Sequence, residues 1–232
     1  MNSKKTITIK GKKLPYYPRM LTNDGSEPRL NIPVARENLS IFKDIADKYS
    51  LPIILIYGTL LGAVRESSFL KHDSDTDITI HEKNEYILLN MIPELEEAGL
   101  LFVRYHKVVF FNKGMITYSF MRNEMWIDIY IMQKAFNGYI IFGKKYPKEY
   151  FKRLAFISFY EREYLVPYNP EGFLALVYGN GWKIPKPGEH GSPIKHILLI
   201  RIYNYMSKWF SKLPFIKNVI KKIIRFMKIT NY

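Results

Sequence analysis

The chain has 232 residues, of which 47% are hydrophobic and 24% charged, with no cysteine and a formal net charge of +14. This composition fits one large or two small folded domains, and it excludes a disordered chain, a disulfide scaffold, a thiolate metal site and a cysteine nucleophile. The N-terminus has no apolar core of a signal peptide, and the longest nearly apolar stretch, residues 51–64, is too short to span a bilayer, so neither an exported nor an integral membrane protein is expected.

Residues 1–33 carry Pro15, Pro18, Pro28 and Pro33, and every charge before Asp24 is basic. They read as an extended basic arm with a short strand at 6–9. Val34, Leu39, Phe42, Ile45 and Ala46 form a 3.6-residue stripe, so 33–49 is predicted helical. Residues 53–57 are a short β-branched run and predict a buried strand, ended by Gly58, with 59–65 opening a helix. A strand is expected at 77–81 and a helix at 85–98 closed by Gly99. Two strands follow at 101–112 and 115–122, joined at Lys113-Gly114, then a third at 126–132. Helical patterns occupy 147–158 and 170–178. Interleaved helices and strands place the chain in the α/β or α+β class, with a mixed sheet flanked by helices.

Residues 190–232 are again basic without a single acid, so the segment between the two ends is close to neutral. In this tail Leu199, Ile202, Met206, Trp209, Phe210 and Leu213 fall on one helix face, with Arg201, Lys208 and Lys212 opposite. Pro214 interrupts the helix. Val219, Ile220, Ile223, Phe226 and Met227 then repeat the pattern against Lys217, Lys221, Lys222, Arg225 and Lys228. A lysine-rich face against an aromatic and aliphatic one is the pattern of an interfacial helix, where each basic group adds ~1 kcal/mol at an anionic surface. The same pattern also suits a helix packed on the domain with its lysines outward. The aromatic residues sit on the apolar face rather than among the basic ones, which disfavours nucleic acid. The chain therefore divides into an arm (1–33), a central domain (34–190) and a basic amphipathic helical tail (191–232).

Three features of the central domain carry chemistry. Gly58-Thr59 at a strand-to-helix turn can present free N–H groups, a hydroxyl and the helix dipole to an anion, though a plain turn reads the same way. Asp73, Asp75 and Asp77 alternate where a strand begins, so Asp75 and Asp77 share a face. Adjacent carboxylates repel, a cost tolerated where a divalent cation neutralises them; an acidic surface strand is the alternative. An EF-hand loop fails, because Ile78 stands where glycine is required and Asn84 where glutamate is. Asp128 lies among apolar neighbours in Trp126-Ile127-Asp128-Ile129-Tyr130 and needs a partner if buried. Were its strand beside that of Asp75 and Asp77, the three acids could hold one or two Mg²⁺ ions.

A glycine-hydroxyl turn, an Asp-x-Asp strand and a later lone aspartate together resemble the nucleotidyltransferase superfamily. YGTLLGAVRESSFLKHDSDTDITI (57–80) closely resembles the signature of the LicD family, which includes fukutin-like proteins. VPYNPEGFLALVYGNGW (166–182) is similar to a second element of that family, and the likeness covers roughly residues 35–187. It implies a nucleotidyltransferase-like fold and a Mg²⁺-dependent (or Mn²⁺-dependent) phosphotransferase. Such an enzyme moves a phospho-alcohol such as phosphocholine from a CDP-linked donor to a hydroxyl of a cell-surface glycan, as in lipopolysaccharide, teichoic acid or capsule.

Carried onto this chain, the resemblance has Gly58 and Thr59 cradle donor phosphate, Asp75, Asp77 and Asp128 bind metal and act in catalysis, and Asp128 serve as candidate base. Asp73 and His72 stand behind the metal ligands. Arg65 pairs with phosphate or an aspartate, and Tyr178, Gly179 and Trp182 shape the donor or acceptor pocket. His72 stands where the family has tryptophan, and Ser74 where an acid is common. Lys107 is a further phosphate-contact candidate by position alone, with a solvated strand lysine as the alternative. The expected partners are the CDP-linked donor, a glycan or lipid-linked glycan acceptor, and an anionic membrane surface met through residues 195–228. The expected place is the cytoplasm, peripheral to the inner face of the plasma membrane. Transfer of a nucleoside monophosphate from an NTP to a protein, RNA or small molecule is the competing reaction, and a degenerate non-catalytic binder the third reading.

Overall fold

The structure is a computed structural model and describes residues 3–18, 29–110, 113–185 and 230–231. The chain opens with a hairpin of β1 (Lys5–Ile9) and β2 (Lys12–Tyr16). Next come α1 (Ile32–Lys48), β3 (Ile54–Leu55), α2 (Tyr57–Arg65), β4 (Asp75–His81) and α3 (Glu85–Glu97). Three long strands form a meander: β5 (Leu101–Phe110), β6 (Lys113–Arg122) and β7 (Met125–Ala135). Then follow β8 (Gly138–Ile141), β9 (Lys144–Pro147), the single turn α4 (Glu149–Lys152), β10 (Leu154–Phe159), β11 (Arg162–Pro167), α5 (Pro170–Tyr178) and β12 (Thr230–Asn231).

The main sheet has the order β10-β11-β3-β4-β7-β6-β5-β12, and β8 and β9 extend it from the far end of β7. Most neighbours are antiparallel, but β4 lies parallel to β7 and β11 to β3. The fold is therefore the expected α+β arrangement, a large mixed sheet flanked by helices.

One face of the sheet is closed by α1 and α3. Asn31 caps α1, its side chain accepting the Val34 N–H, and Pro33 sits in the first turn where no donor is needed. The buried stripe of α1 presses Phe42 against Phe120 of β6, ring centroids 6.0 Å apart. Glu85 of α3 is buried beneath the same face, accepting the Tyr118 hydroxyl at 2.6 Å. Tight hairpins hold the strands in register. Paired left-handed residues Asn123-Glu124 (φ 49 and 63) and Tyr160-Glu161 (φ 50 and 63) make turns whose twist matches the sheet.

Several expectations need correction. The N-terminal arm is not merely extended: Ile7, Ile9, Leu14 and Tyr16 are buried, and Tyr16 meets Phe102 edge-on at 5.4 Å. Its lysines answer acids of α3, Lys10 pairing with Glu85 and Lys4 with Glu96, both at 2.5 Å. Lys113 and Gly114 belong to β6 rather than to a turn. Residues 147–158 form one helical turn and then strand, because 154–159 (LAFISF) is rich in β-formers and gains a full ladder from β11. Strands β8 to β11 were not foreseen. The two amphipathic helices expected between 195 and 228 lie outside the described residues. Among the described residues no helix is long and apolar enough to cross a membrane.

Phe42 has no exposed surface. Phe42→Ala should lower unfolding stability by about 3–5 kcal/mol, read from the urea midpoint at constant slope.

Candidate active site

The second sheet face, at the N-terminal ends of β4 and β7, holds the acids. Parallel pairing puts Asp77 opposite Asp128, and alternation brings Asp75, Trp126 and Tyr130 to the same face. Asp73, in the loop before β4, comes back over the strand. Carboxylate oxygens of Asp73, Asp75 and Asp77 all lie within 4.8 Å of one another. A cation such as Mg²⁺ binds oxygens at about 2.1 Å, so ligand oxygens are at most about 4.2 Å apart. The observed separations are close to that limit, and the group could hold a divalent metal. The described acids whose oxygens lie this close are Asp73, Asp75 and Asp77; the ligands expected from sequence are Asp75, Asp77 and Asp128, with Asp73 behind them.

Asp77 is the centre of the arrangement. One of its oxygens accepts the Gly58 N–H at 2.9 Å and the other the Tyr130 hydroxyl at 3.0 Å. Its own N–H donates to Thr59 Oγ1 at 2.8 Å. The anion at the start of α2 is therefore the protein's own Asp77, and Thr59, fully buried, is engaged in holding β4. This corrects the expectation of a glycine-threonine turn with free donors for phosphate. Helix α2 in fact begins two residues earlier than expected, at Tyr57, whose φ of 46 is a strained value for a bulky residue. The Tyr57 ring is wedged edge-on against Tyr130 at 5.4 Å, with its hydroxyl 3.1 Å from that of Tyr146.

Gly58 is required by space. A Cβ there would lie 2.1 Å from Asp73 Oδ2 and 3.2 Å from Asp77 Oδ2. Gly62, one turn on, would meet the Ser68 carbonyl at 2.4 Å. The two glycines of GTLLGAVR thus let α2 pass over the acid cluster and the loop that follows it.

Burial, reinforced by the charges of Asp73 and Asp128, pushes the Asp77 carboxyl well above the usual aspartate range. Burial likewise raises the Tyr130 phenol, which remains a donor to Asp77. Three carboxylates packed this way are electrostatically incomplete without a proton or a cation.

Asp128 has a partner that sequence reasoning missed. Arg104 of β5 donates to both Asp128 oxygens, at 3.3 and 3.0 Å, and to Ser119 Oγ at 3.0 Å. Its guanidinium lies 5.0 Å over the Trp126 ring, and its side chain remains 32% exposed. A β-bulge puts it there. Phe102 pairs with Phe120 but Arg104 with Ser119, so Val103 is an extra residue and every side chain after it changes face. His106 follows Arg104 onto the acid face, where burial and the Arg104 charge lower its pKa against the pull of Asp128. Lys107 falls opposite Ile116, on the α3 side of the sheet with Tyr105 and Tyr118. The basic side chain on the acid face is accordingly Arg104, and Lys107 is on the other face.

The remaining candidates lie apart. Arg65 is at the far end of α2, about 10 Å along the helix from Gly58. It donates to the Trp182 carbonyl at 2.9 Å and pairs with Glu66 at 3.1 Å. Trp182 is buried. Gly179 ends α5 with a φ of 85, and Tyr178 at its last turn approaches Tyr57 closely enough to disfavour that residue's phenolate. His72 is exposed beside Asp73. Arg65, Gly179 and Trp182 thus brace α2 against α5.

A sheet face with clustered aspartates under a helix N-terminus is the site of a nucleotidyltransferase-type domain. Residues 50–169, just over half of the chain, match the family described as LicD/FKTN/FKRP, nucleotidyltransferase domain, and the chain belongs to that family. An uncharacterized protein of Rickettsia prowazekii (strain Madrid E) is 32% identical over 98 residues, which are 40% of this chain and 33% of that protein. The chain thus matches about a third of the length of that relative. Among solved structures, the solution structure of the antibiotic-resistance factor ANT(2'')-Ia is similar at a TM-score of 0.44 and 13% identity, over 78% of this chain and 96% of that one. A crystal structure of ANT(2'')-Ia with adenylyl-2''-tobramycin gives a TM-score of 0.42 and 16% identity, over 82% and 97%.

Two measurements check this geometry. Gly58→Ala should displace the Asp73 carboxylate and weaken Mn²⁺ binding about tenfold or more, measured by calorimetry, while the metal-free melting temperature changes little. The raised Asp77 pKa means that the folded state binds more protons than the unfolded one, so metal-free stability should fall as pH rises above the unfolded aspartate value of about 4. Asp77→Asn should therefore melt higher than wild type in EDTA at pH 7.5, with the gap closing towards pH 4.

Proposed function

We propose that the protein is a Mg²⁺-dependent phosphotransferase. It would move a phospho-alcohol, phosphocholine or a close relative, from a CDP-linked donor to a hydroxyl of a cell-surface glycan. The observation that carries this reading is the Asp73, Asp75 and Asp77 cluster beneath the N-terminus of α2, in a chain of the LicD family. Asp73, Asp75 and Asp77 would hold the cation. When bound, that ion supplies positive charge to the phosphate oxygens of the donor.

The protein's own groups would do the rest. Arg104 sits beside the acids with its side chain 32% exposed, and would meet the negative charge of the transferring phosphoryl group. Asp128, held by Arg104, would take the proton of the acceptor hydroxyl. The acceptor oxygen forms a bond to the phosphorus that bears the alcohol, the bond from that phosphorus to the bridging oxygen breaks, and CMP leaves. Tyr130 and the Gly58 N–H keep Asp77 in place throughout. The basic, amphipathic pattern of residues 195–228 supports work beside an anionic membrane on a lipid-linked acceptor.

Incubation with Mg²⁺ and CDP-choline, CDP-ethanolamine, CDP-glycerol or CDP-ribitol, with a glycan acceptor, should release CMP from one donor. Asp75→Asn should abolish the release, and Arg104→Met should reduce it about 100-fold or more. Pyrophosphate from an NTP, with no CMP from any donor, would instead establish nucleotidyl transfer.

A further inference from the structure

The hairpin between β7 and β8 lies at the opposite end of β7 from the acids. Ala135 pairs with Gly138, so the turn is only two residues, Phe136-Asn137. Asn137 takes the left-handed φ of 52 that such a tight turn requires. The turn therefore projects Phe136 outward, and that side chain is 93% exposed. A single exposed aromatic is ordinary; its surroundings here are not. Lys134, Lys148 and Lys152 line a surface hollow of about 450 Å³ beside it, and Lys145 lies on the adjoining strand. All four are exposed, and no ammonium group of the four pairs with a carboxylate among the described residues; the Lys134 backbone N–H donates to Glu82 Oε1 at 2.9 Å. At the N-terminal hairpin, by contrast, two of the lysines, Lys4 and Lys10, are matched by acids of α3. From residue 134 to 153 the sequence carries six basic side chains and one acid, Glu149.

From this juxtaposition we infer that the β7–β8 hairpin tip and the lysines around it form a contact for an anionic lipid surface, with Phe136 inserted among the headgroups. The chemistry is specific to that partner. An aromatic ring on a rigid tip gains by leaving water, while the lysines behind it meet headgroup phosphates. The tail of this chain does not suit the same surface, because residues 190–232 contain nine basic side chains and no acid and would be repelled. Nucleic acid suits it poorly as well, since a lone projecting ring offers no run of stacking platforms. The contact stands eight residues along β7 from Asp128, roughly 26 Å at ~3.3 Å per residue, so the strand separates lipid contact from acid cluster. The inference does not depend on the reaction proposed above, and it is distinct from any contact made by residues 195–228.

The absence of cysteine makes the test direct, because one introduced thiol labels one place. Phe136→Cys in the full chain is labelled with a nitrobenzoxadiazole probe and mixed with phosphatidylglycerol-rich vesicles or with pure phosphatidylcholine vesicles. Phe156→Cys is the control, a 67% exposed aromatic on β10 whose neighbours include Asp47 and Glu163. The expected result is a blue shift and brightening at position 136 on anionic vesicles alone, with no change at 156. Adding Lys148→Glu and Lys152→Glu, both on exposed positions, should lower the partition coefficient read by that probe about tenfold or more. An unchanged probe at 136, an equal response at both positions, indifference to the two charge reversals, or a response to single-stranded RNA but not to vesicles would each overturn the inference.

Discussion

The structure around the acids depends on keeping one carboxyl group, that of Asp77, buried beside two others. A carboxylate in that position loses its water and faces like charge, and it persists only where the protein supplies donors from several directions. The Gly58 N–H comes from α2, the Tyr130 hydroxyl from β7, and the Asp77 backbone is pinned to Thr59. Each of these in turn needs something else. Gly58 must lack a Cβ, Tyr57 must adopt a strained φ to deliver it, and Tyr130 must be packed by Tyr57 and by Phe142 at 5.2 Å. The parallel ladder fixes the spacing of β4 and β7, and α1 packs on both from the reverse face. The aromatic and aliphatic core is thus the means by which repelling charges are held in one place.

The net charge of +14 describes the molecule less well than its distribution does. The lysines at the N-terminus belong partly to internal bookkeeping, pairing with α3 and fastening the β1–β2 hairpin over Phe102. Such exposed pairs add little stability by themselves, and the buried Ile7, Ile9, Leu14 and Tyr16 hold the hairpin more firmly. The lysines of β9, α4 and the end of β7 have no such partners among the described residues. Arg104 beside the acids is held in the same sense: it is bound to Asp128 and Ser119 and stacked on Trp126, so its position is set before any ligand arrives.

Much of the fold could be read along the chain because the signals were local. The stripe of α1, the cap of α3 at Gly99, the alternation in β4 and the helix at 170–178 all express contacts within a few residues. The stretch 147–158 misled because its apolar spacing suits both a helix and a strand, and only the ladder offered by β11 decides between them. The acids were legible for the same local reason. Asp73, Asp75 and Asp77 are spaced by two, and like charges set so close in a strand call for a counter-charge.

The available chemistry is written in the order of residues: clustered aspartates, a glycine-hydroxyl turn, a lone acid among apolar residues, and the family to which these belong. How those groups are used depends on contacts between elements distant along the chain. The Gly58 N–H and Thr59 serve Asp77 because β4 folds back beneath α2. Asp128 is bound by Arg104 and not by Lys107 because one extra residue at Val103 reverses the faces of β5. A bulge of that kind has no signature in composition or period. It exists because Phe102 must pack inward against Phe120 while the next charged residue must face the acids, a requirement that arises only once the strands are side by side.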